Sequence, residues 1–149
     1  PYFNYCKMIW ISASQYRLCK LTVLQKRIVR LIGKAERLEH SSPLFKQHNI
    51  LKIMDIGVFQ KLVFMYKFSR NLLPENFGNY FSEIATVHSH FTRGSAGLIV
   101  PFAKTNTKKC SIKVSGPTLW NKLPENIKTS QTLSIFKHRL KGLIQDDYV

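Results

Sequence analysis

The run MDIGVFQKLVFMYKFSRN, residues 54–71, decides the architecture. Ile56, Phe59, Leu62, Val63 and Tyr66 fall at helical spacing on one face, while Val58, Phe64, Met65 and Phe68 occupy much of the rest. A helix that is apolar on nearly all sides sits in the middle of a core. The spacing therefore predicts a central buried helix, with Asp55 as its N-terminal cap. Its aromatic side chains read as core packing rather than a cofactor pocket.

Other helices are predicted on either side. In YRLCKLTVLQKRIVRLIGK, residues 16–34, Leu21, Leu24, Ile28, Leu31 and Ile32 form an apolar stripe at helical period. Lys20, Lys26, Arg27, Arg30 and Lys34 lie mostly off it, and Gly33 stands where a C-cap glycine belongs. Such a helix buries its apolar face. Its cations either meet phosphates or form an ordinary solvated face. In HSSPLFKQHNILKI, residues 40–53, Ser42 and Pro43 mark a helix start. TLSIFKHRLKGLIQ, residues 132–145, places Leu133, Phe136, Leu140, Leu143 and Ile144 on one face, with Lys137, Arg139 and Lys141 elsewhere. Residues 82–97 read as a loop. Within LIVPFAKTNTKKCSIKV, residues 98–114, two β-prone runs predict a short hairpin whose edge is marked by Pro101. The expected fold class is mainly α: a small helical domain with one β-hairpin.

The words NLLPENF, residues 71–77, and NKLPENI, residues 121–127, share Leu-Pro-Glu-Asn. Proline at a first helical position loses no hydrogen bond, and an acid in the first turn suits the helix dipole. Each copy is predicted to start a short helix. Their flanks differ too much for an internal duplication.

The 149 residues suit one domain, and 44 % hydrophobic and 12 % aromatic content is enough for a core. Charge is the outlier: 23 Lys and Arg against 8 acids give +15. A surface so positive attracts a polyanion. No apolar run approaches the roughly 18–20 residues of a spanning helix, and PYFNYCKMIW at the start carries no secretory pattern. Cys6, Cys19 and Cys110, odd in number and widely spaced, fit reduced thiols in an intracellular protein, nuclear or cytoplasmic. The start at Pro1, without an initiator Met, reads as a piece of a longer polypeptide or as a start trimmed by processing.

Little points to chemistry. His88 and His90 form an H-x-H with no second ligand pair nearby, and no C-x-x-C occurs. The seven glycines are too scattered to cradle a phosphate. A Cys–His nucleophile pair stays open, because space rather than sequence decides it. Asp146 and Asp147 adjoin, but two-metal chemistry needs several converging carboxylates, and this pair follows a basic helix at the chain end. It reads as solvated. No catalytic residue, metal site or cofactor is expected.

The order of the pieces carries a resemblance. PYFNYCKMIW opens the chain. LQKRIVRLI (24–32), PLFKQHNIL (43–51), MYKFSRNLLP (65–74), HSHFTR (88–93), GPTLWNKLP (116–124) and SIFKHRLK (134–141) follow. Together they resemble the C-terminal end of the reverse transcriptases of non-LTR, LINE-like retrotransposons of the jockey type. The likeness covers nearly the whole chain, and shared order and spacing make it more specific than any single motif. Val29 stands near the family's Ile–Arg–Ile stretch, and His90 stands where the family prefers an aromatic. The family's fingers and palm, with an aromatic-x-Asp-Asp metal site, would lie upstream of Pro1. The resemblance implies that residues 1–34 are the end of the thumb and 35–149 a post-thumb domain. On this view the chain holds no polymerase site of its own, although the parent polypeptide would be an RNA-directed DNA polymerase.

The expected activity is therefore binding. Lys20, Lys26, Arg27, Arg30 and Lys34 from the first basic helix, Lys104, Lys108, Lys109 and Lys113 from the hairpin, and Lys137, Arg139 and Lys141 from the last helix are the candidates for RNA or DNA phosphates. Arg93 serves either as a phosphate contact or as a local cap. Trp120, Phe91 and Tyr66 are candidates for base stacking if exposed, although the place of Trp120, between a Gly-Pro turn and Leu123, favours the core. The partners implied are nucleic acid and the parent chain's upstream domains, without a membrane. The alternative is a truncated or host-adopted remnant that acts through protein contacts. A membrane-surface binder is a weaker reading, because the aromatic-rich core favours a globular fold.

Overall fold

A computed structural model describes residues 15–87 and 97–148. The fold is mainly helical, as expected. In chain order the helices are α1 (Gln15–Ile32), α2 (Ser41–Gln47), α3 (Ile53–Ser69), α4 (Ile84–Val87), α5 (Asn106–Cys110), α6 (Ile112–Lys122), α7 (Glu125–Lys128) and α8 (Leu133–Asp146). A 3-10 turn, Glu75–Phe77, follows α3. These elements group into two compact units. One holds the chain up to Phe59 together with Lys137 onward, and the other holds Gln60–Phe136.

In the first unit, Val29 of α1, Leu44 and Phe45 of α2, and Tyr148 form a buried cluster, with Ile50, Leu51 and Ile144 packed against it. Of the stripe expected to face inward on α1, Leu21 packs against Leu18 and Ile53, but the other four members do not face the core. Leu24, Ile28, Leu31 and Ile32 are exposed, while Leu18 and Val29 are buried. Polar anchoring accounts for this. The Gln25 amide donates to Leu51 O and accepts from Ile53 N, both at 2.8 Å. A glutamine that satisfies two backbone groups turns its own side of α1 inward. It also supplies the partner for the first N–H of α3, so Asp55 is a first-turn residue rather than the cap. In α2, His40 precedes the first helical residue, and Pro43 lies within the first turn, where no donor is missed.

The end of α1 also differs from expectation. The left-handed residue is Lys34, with φ 50°, rather than Gly33. Gly33 is needed for proximity: a Cβ there would stand 3.0 Å from Leu44 Cδ2 and 3.2 Å from His48 Nε2.

Tyr148 closes this unit. Its phenol donates to Asp55 Oδ2 at 2.5 Å and accepts from Lys52 N at 2.9 Å. The Lys52 ammonium lies 4.1 Å from the ring centroid. Burial first, and the Asp55 carboxylate second, hold the phenol's ionisation well above its ordinary value of 10.0, with the Lys52 amide pulling the other way. The unfolded chain thus loses this proton first, so the contribution is complete below about pH 10 and is lost as pH rises further. Wild-type stability is expected to decline more steeply above about pH 10 than that of Tyr148→Phe. Urea midpoints across that range check it.

In the second unit, Leu62, Val63, Met65 and Tyr66 of α3 are buried, as the all-round apolar pattern predicts. Tyr66 stacks on Phe136 with centroids 4.3 Å apart, and Trp120 tilts against Phe136 at 6.2 Å. The Tyr66 hydroxyl donates to Ser130 O at 2.7 Å, and Arg70 Nη2 donates to the same oxygen at 3.0 Å. Phe64 and Phe68 meet Phe77 and Phe81 edge-on. Both Leu-Pro-Glu-Asn words start helical turns, one position later than expected. Pro74 and Pro124 have extended ψ of 151° and 142°, and each precedes the turn that its glutamate opens.

The hairpin expected over 98–114 is not found among the described residues. Leu98 makes an isolated antiparallel bridge with Glu83. The Asn121 amide takes Leu98's N–H and C=O at 2.9 and 2.8 Å. With Leu98 held there, residues 106–110 and 112–122 are free to fold as helices. The Gly116-Pro117 pair, expected as a turn, lies inside α6. Gly116 permits close approach, because a Cβ there would stand 2.7 Å from Met65 Sδ and 3.3 Å from Ile112 Cδ1. Gly116→Val is expected to cost about 1–3 kcal/mol through overpacking. Gly116→Ala should cost less, since alanine regains about 1 kcal/mol of helix propensity. Urea denaturation of both variants checks the order.

Candidate nucleic-acid interface

The predicted cations divide between the two units. In the first, Lys20, Lys26 and Arg27 of α1 and Lys34 beyond it are exposed. Lys20 and Arg27 stand seven positions apart, hence on one face about 10 Å along the axis. Arg30 is partly buried, and its Nε donates to Glu39 O at 2.7 Å, which fixes the guanidinium over the turn after α1. On α8, Lys137 and Arg139 are exposed and Lys141 is half-buried. Lys137 and Lys141 are four apart and share a face, whereas Arg139 points elsewhere.

In the second unit, Lys104, Lys108, Lys109 and Lys113 are all exposed. Lys108 and Lys109 occupy the last turn of α5. Thr105 caps that helix, its hydroxyl accepting from Lys108 N at 3.3 Å. Ser111 Oγ donates to Lys108 O at 2.7 Å. Lys113, on α6, holds its ammonium 5.2 Å from the Tyr80 ring centroid. The four cations stand within ten positions of sequence, all with exposed side chains. Lys61 Nζ donates to Cys110 O at 3.3 Å. Burial lowers its pKa, partly offset by the Cys110 thiol.

The stacking candidates fare differently. Trp120 is 6 % exposed, which agrees with core placement. Tyr66 is fully packed and cannot meet a base. Phe91 and Arg93 lie outside the described residues, as do His88 and His90. Among the described residues, the large aromatic that is open to solvent is Phe102, 79 % exposed, two positions from Lys104. It was missed because LIVPFA reads as a strand with a half-buried face; only the adjoining lysines pointed to it.

Asp146 and Asp147 are exposed, and the carboxylate of Asp146 lies 3.8 Å from Lys46 Nζ. That is a surface contact, as expected for a solvated pair. Among the described residues no group of three or more His, Cys, Asp or Glu is placed to hold a metal ion. No helix among them is long and apolar enough to cross a membrane. What these exposed groups can do chemically is hold anions on lysine and arginine heads and, at Phe102, offer a flat hydrophobic ring to solvent. No protein-family model, curated protein or solved structure matches this chain.

Proposed function

We propose that this chain is a nucleic-acid-gripping C-terminal portion of a non-LTR retrotransposon reverse transcriptase, without the catalytic palm. It binds RNA or a primer–template duplex through its basic helices. The observation that carries this reading is the run of exposed side chains from Phe102 through Lys104, Lys108 and Lys109 to Lys113, in a chain with 23 cations and 8 acids. Lysine heads take phosphates without regard to sequence, and a ring stacks on any base. Lys20, Lys26, Arg27, Arg30, Lys34, Lys137, Arg139 and Lys141 add phosphate contacts from the other unit. The polymerase chemistry of the parent belongs to residues outside this chain. The protein works inside the cell, where its nucleic-acid partners are.

The test is binding of the purified chain to an RNA hairpin and to an RNA–DNA duplex, alongside a nucleotide-incorporation assay. Binding to both without incorporation is expected. Template-dependent incorporation would overturn the assignment of chemistry to the missing palm. A second reading, contact with a protein partner, is favoured by one observation: the exposed aliphatic face of α1.

A further inference from the structure

Helix α1 carries an apolar arc wider than its own fold covers. Leu18 and Val29 are buried at one edge. At the other edge, Leu24, Ile28, Leu31 and Ile32 are exposed, Leu31 at 78 %, and Leu38 beyond the helix is 92 % exposed. At about 100° per residue these four helical side chains line one strip of roughly two and a half turns. Residues scattered singly on a surface need no explanation, but a continuous aliphatic strip marks an interaction site.

The strip has a charged frame. Lys20 and Arg27 run along one side of it. At its C-terminal end, Arg27, Arg30, Leu31, Ala35, Arg37 and Leu38 line a groove of about 490 Å³. Two acids stand close by in sequence, Glu36 and Glu39. The Glu39 carboxylate accepts from Glu36 N at 3.2 Å, and its carbonyl holds Arg30. Four cations against these two acids leave the frame positive.

We infer that this strip docks an acidic amphipathic helix of a partner protein, with apolar residues at every third and fourth position and carboxylates on the flanks. The chemistry selects this partner over others. Nucleic acid would satisfy the cations but would leave four aliphatic side chains uncovered. A second copy of this chain would set Lys20, Arg27, Arg30 and Arg37 against their own counterparts. An amphipathic helix buries the aliphatic strip in its own, and its carboxylates reach the arginine forks. The site goes beyond the nucleic-acid reading and uses a different surface from Lys104–Lys113.

The probe is a synthetic helical peptide with leucines at that spacing and flanking glutamates, followed by fluorescence anisotropy against the full chain. Saturable binding is expected, and a peptide with its leucines scrambled should bind at least about tenfold more weakly. Ile28→Ser with Leu31→Ser removes only exposed side chains, so the fold should survive, as circular dichroism would show. That variant should lose about tenfold in peptide affinity and keep its affinity for an RNA–DNA duplex. Arg37→Glu, at an exposed residue that lines the groove but is not among the phosphate contacts, should also weaken the peptide and leave the duplex within a few-fold. The lysine variants of α5 and α6 should do the reverse. Three results would overturn the proposal: no peptide binding, a dimer that the Ile28→Ser, Leu31→Ser change dissociates, or a loss of duplex rather than peptide from the Ile28→Ser, Leu31→Ser variant or from Arg37→Glu.

Discussion

Phe136→Ala is expected to lower stability by about 3–5 kcal/mol. Phe136 is 0 % exposed, stacks on Tyr66 and leans against Trp120. Truncation removes the buried ring and leaves a cavity between two large aromatics that cannot collapse into it. A second loss follows from the first. Tyr66 holds Ser130 O, the oxygen that Arg70 also reaches, and Ser130 Oγ in turn ties to Ile127 O at 2.7 Å. A tilted Tyr66 loosens that knot of buried polar groups. Against a usual domain stability of about 5–15 kcal/mol the change is large. Urea unfolding followed by circular dichroism reads it, with Phe136→Leu retaining more than half of the lost stability. A loss below about 1 kcal/mol from the alanine variant would mean that this ring is not the centre of the second unit's core.

The triple variant Lys108→Glu, Lys109→Glu, Lys113→Glu is expected to weaken binding to an RNA–DNA duplex by about a hundredfold at low salt. Each lysine that meets a phosphate releases a counterion, so removing three should also flatten the salt dependence by about three units of slope. Reversal adds repulsion to the loss. All three side chains are exposed, and the local hydrogen bonds of α5 use backbone groups, Thr105 and Ser111 rather than the ammonium groups. The fold should therefore be kept. Phe102→Ser, tested in parallel, should weaken single-stranded RNA more than duplex, because stacking needs an unpaired base. Unchanged affinity in the triple variant would move the interface away from α5 and α6.

The central helix was legible because burial on every side leaves one pattern, an apolar run without a polar face. The two Leu-Pro-Glu-Asn turns were legible because proline conformation is local. The hairpin was misread for the opposite reason. Cys110–Val114 is β-branched enough to pair, but Leu98 is claimed by the Asn121 amide and by Glu83, contacts that reach across more than ten positions. Likewise, Gly116-Pro117 has the local chemistry of a turn, and it is the approach of Met65 that calls for the glycine inside a helix. On α1 the periodicity fixed the width of the apolar arc but not which edge is covered. Gln25, a polar residue on the inward side, decided that through two backbone hydrogen bonds. Most of the candidate cations were easier: with few acids to pair with, the α1 and α5 lysines keep their heads in water, whereas Arg30 and Lys141 are drawn partly inward, Arg30 by the Glu39 carbonyl. Phe102 escaped notice because an aromatic beside proline looks like an edge strand until its surroundings are known.

The measurement that bears most directly on the proposed function is a salt titration of the unmodified chain against an RNA–DNA duplex. Log affinity is expected to fall linearly with log salt, with a slope steeper than about −3, from phosphate contacts by the α5 and α6 lysines and by the α1 and α8 cations. Absent binding, or binding indifferent to salt, would contradict it and leave the +15 charge without a nucleic-acid role.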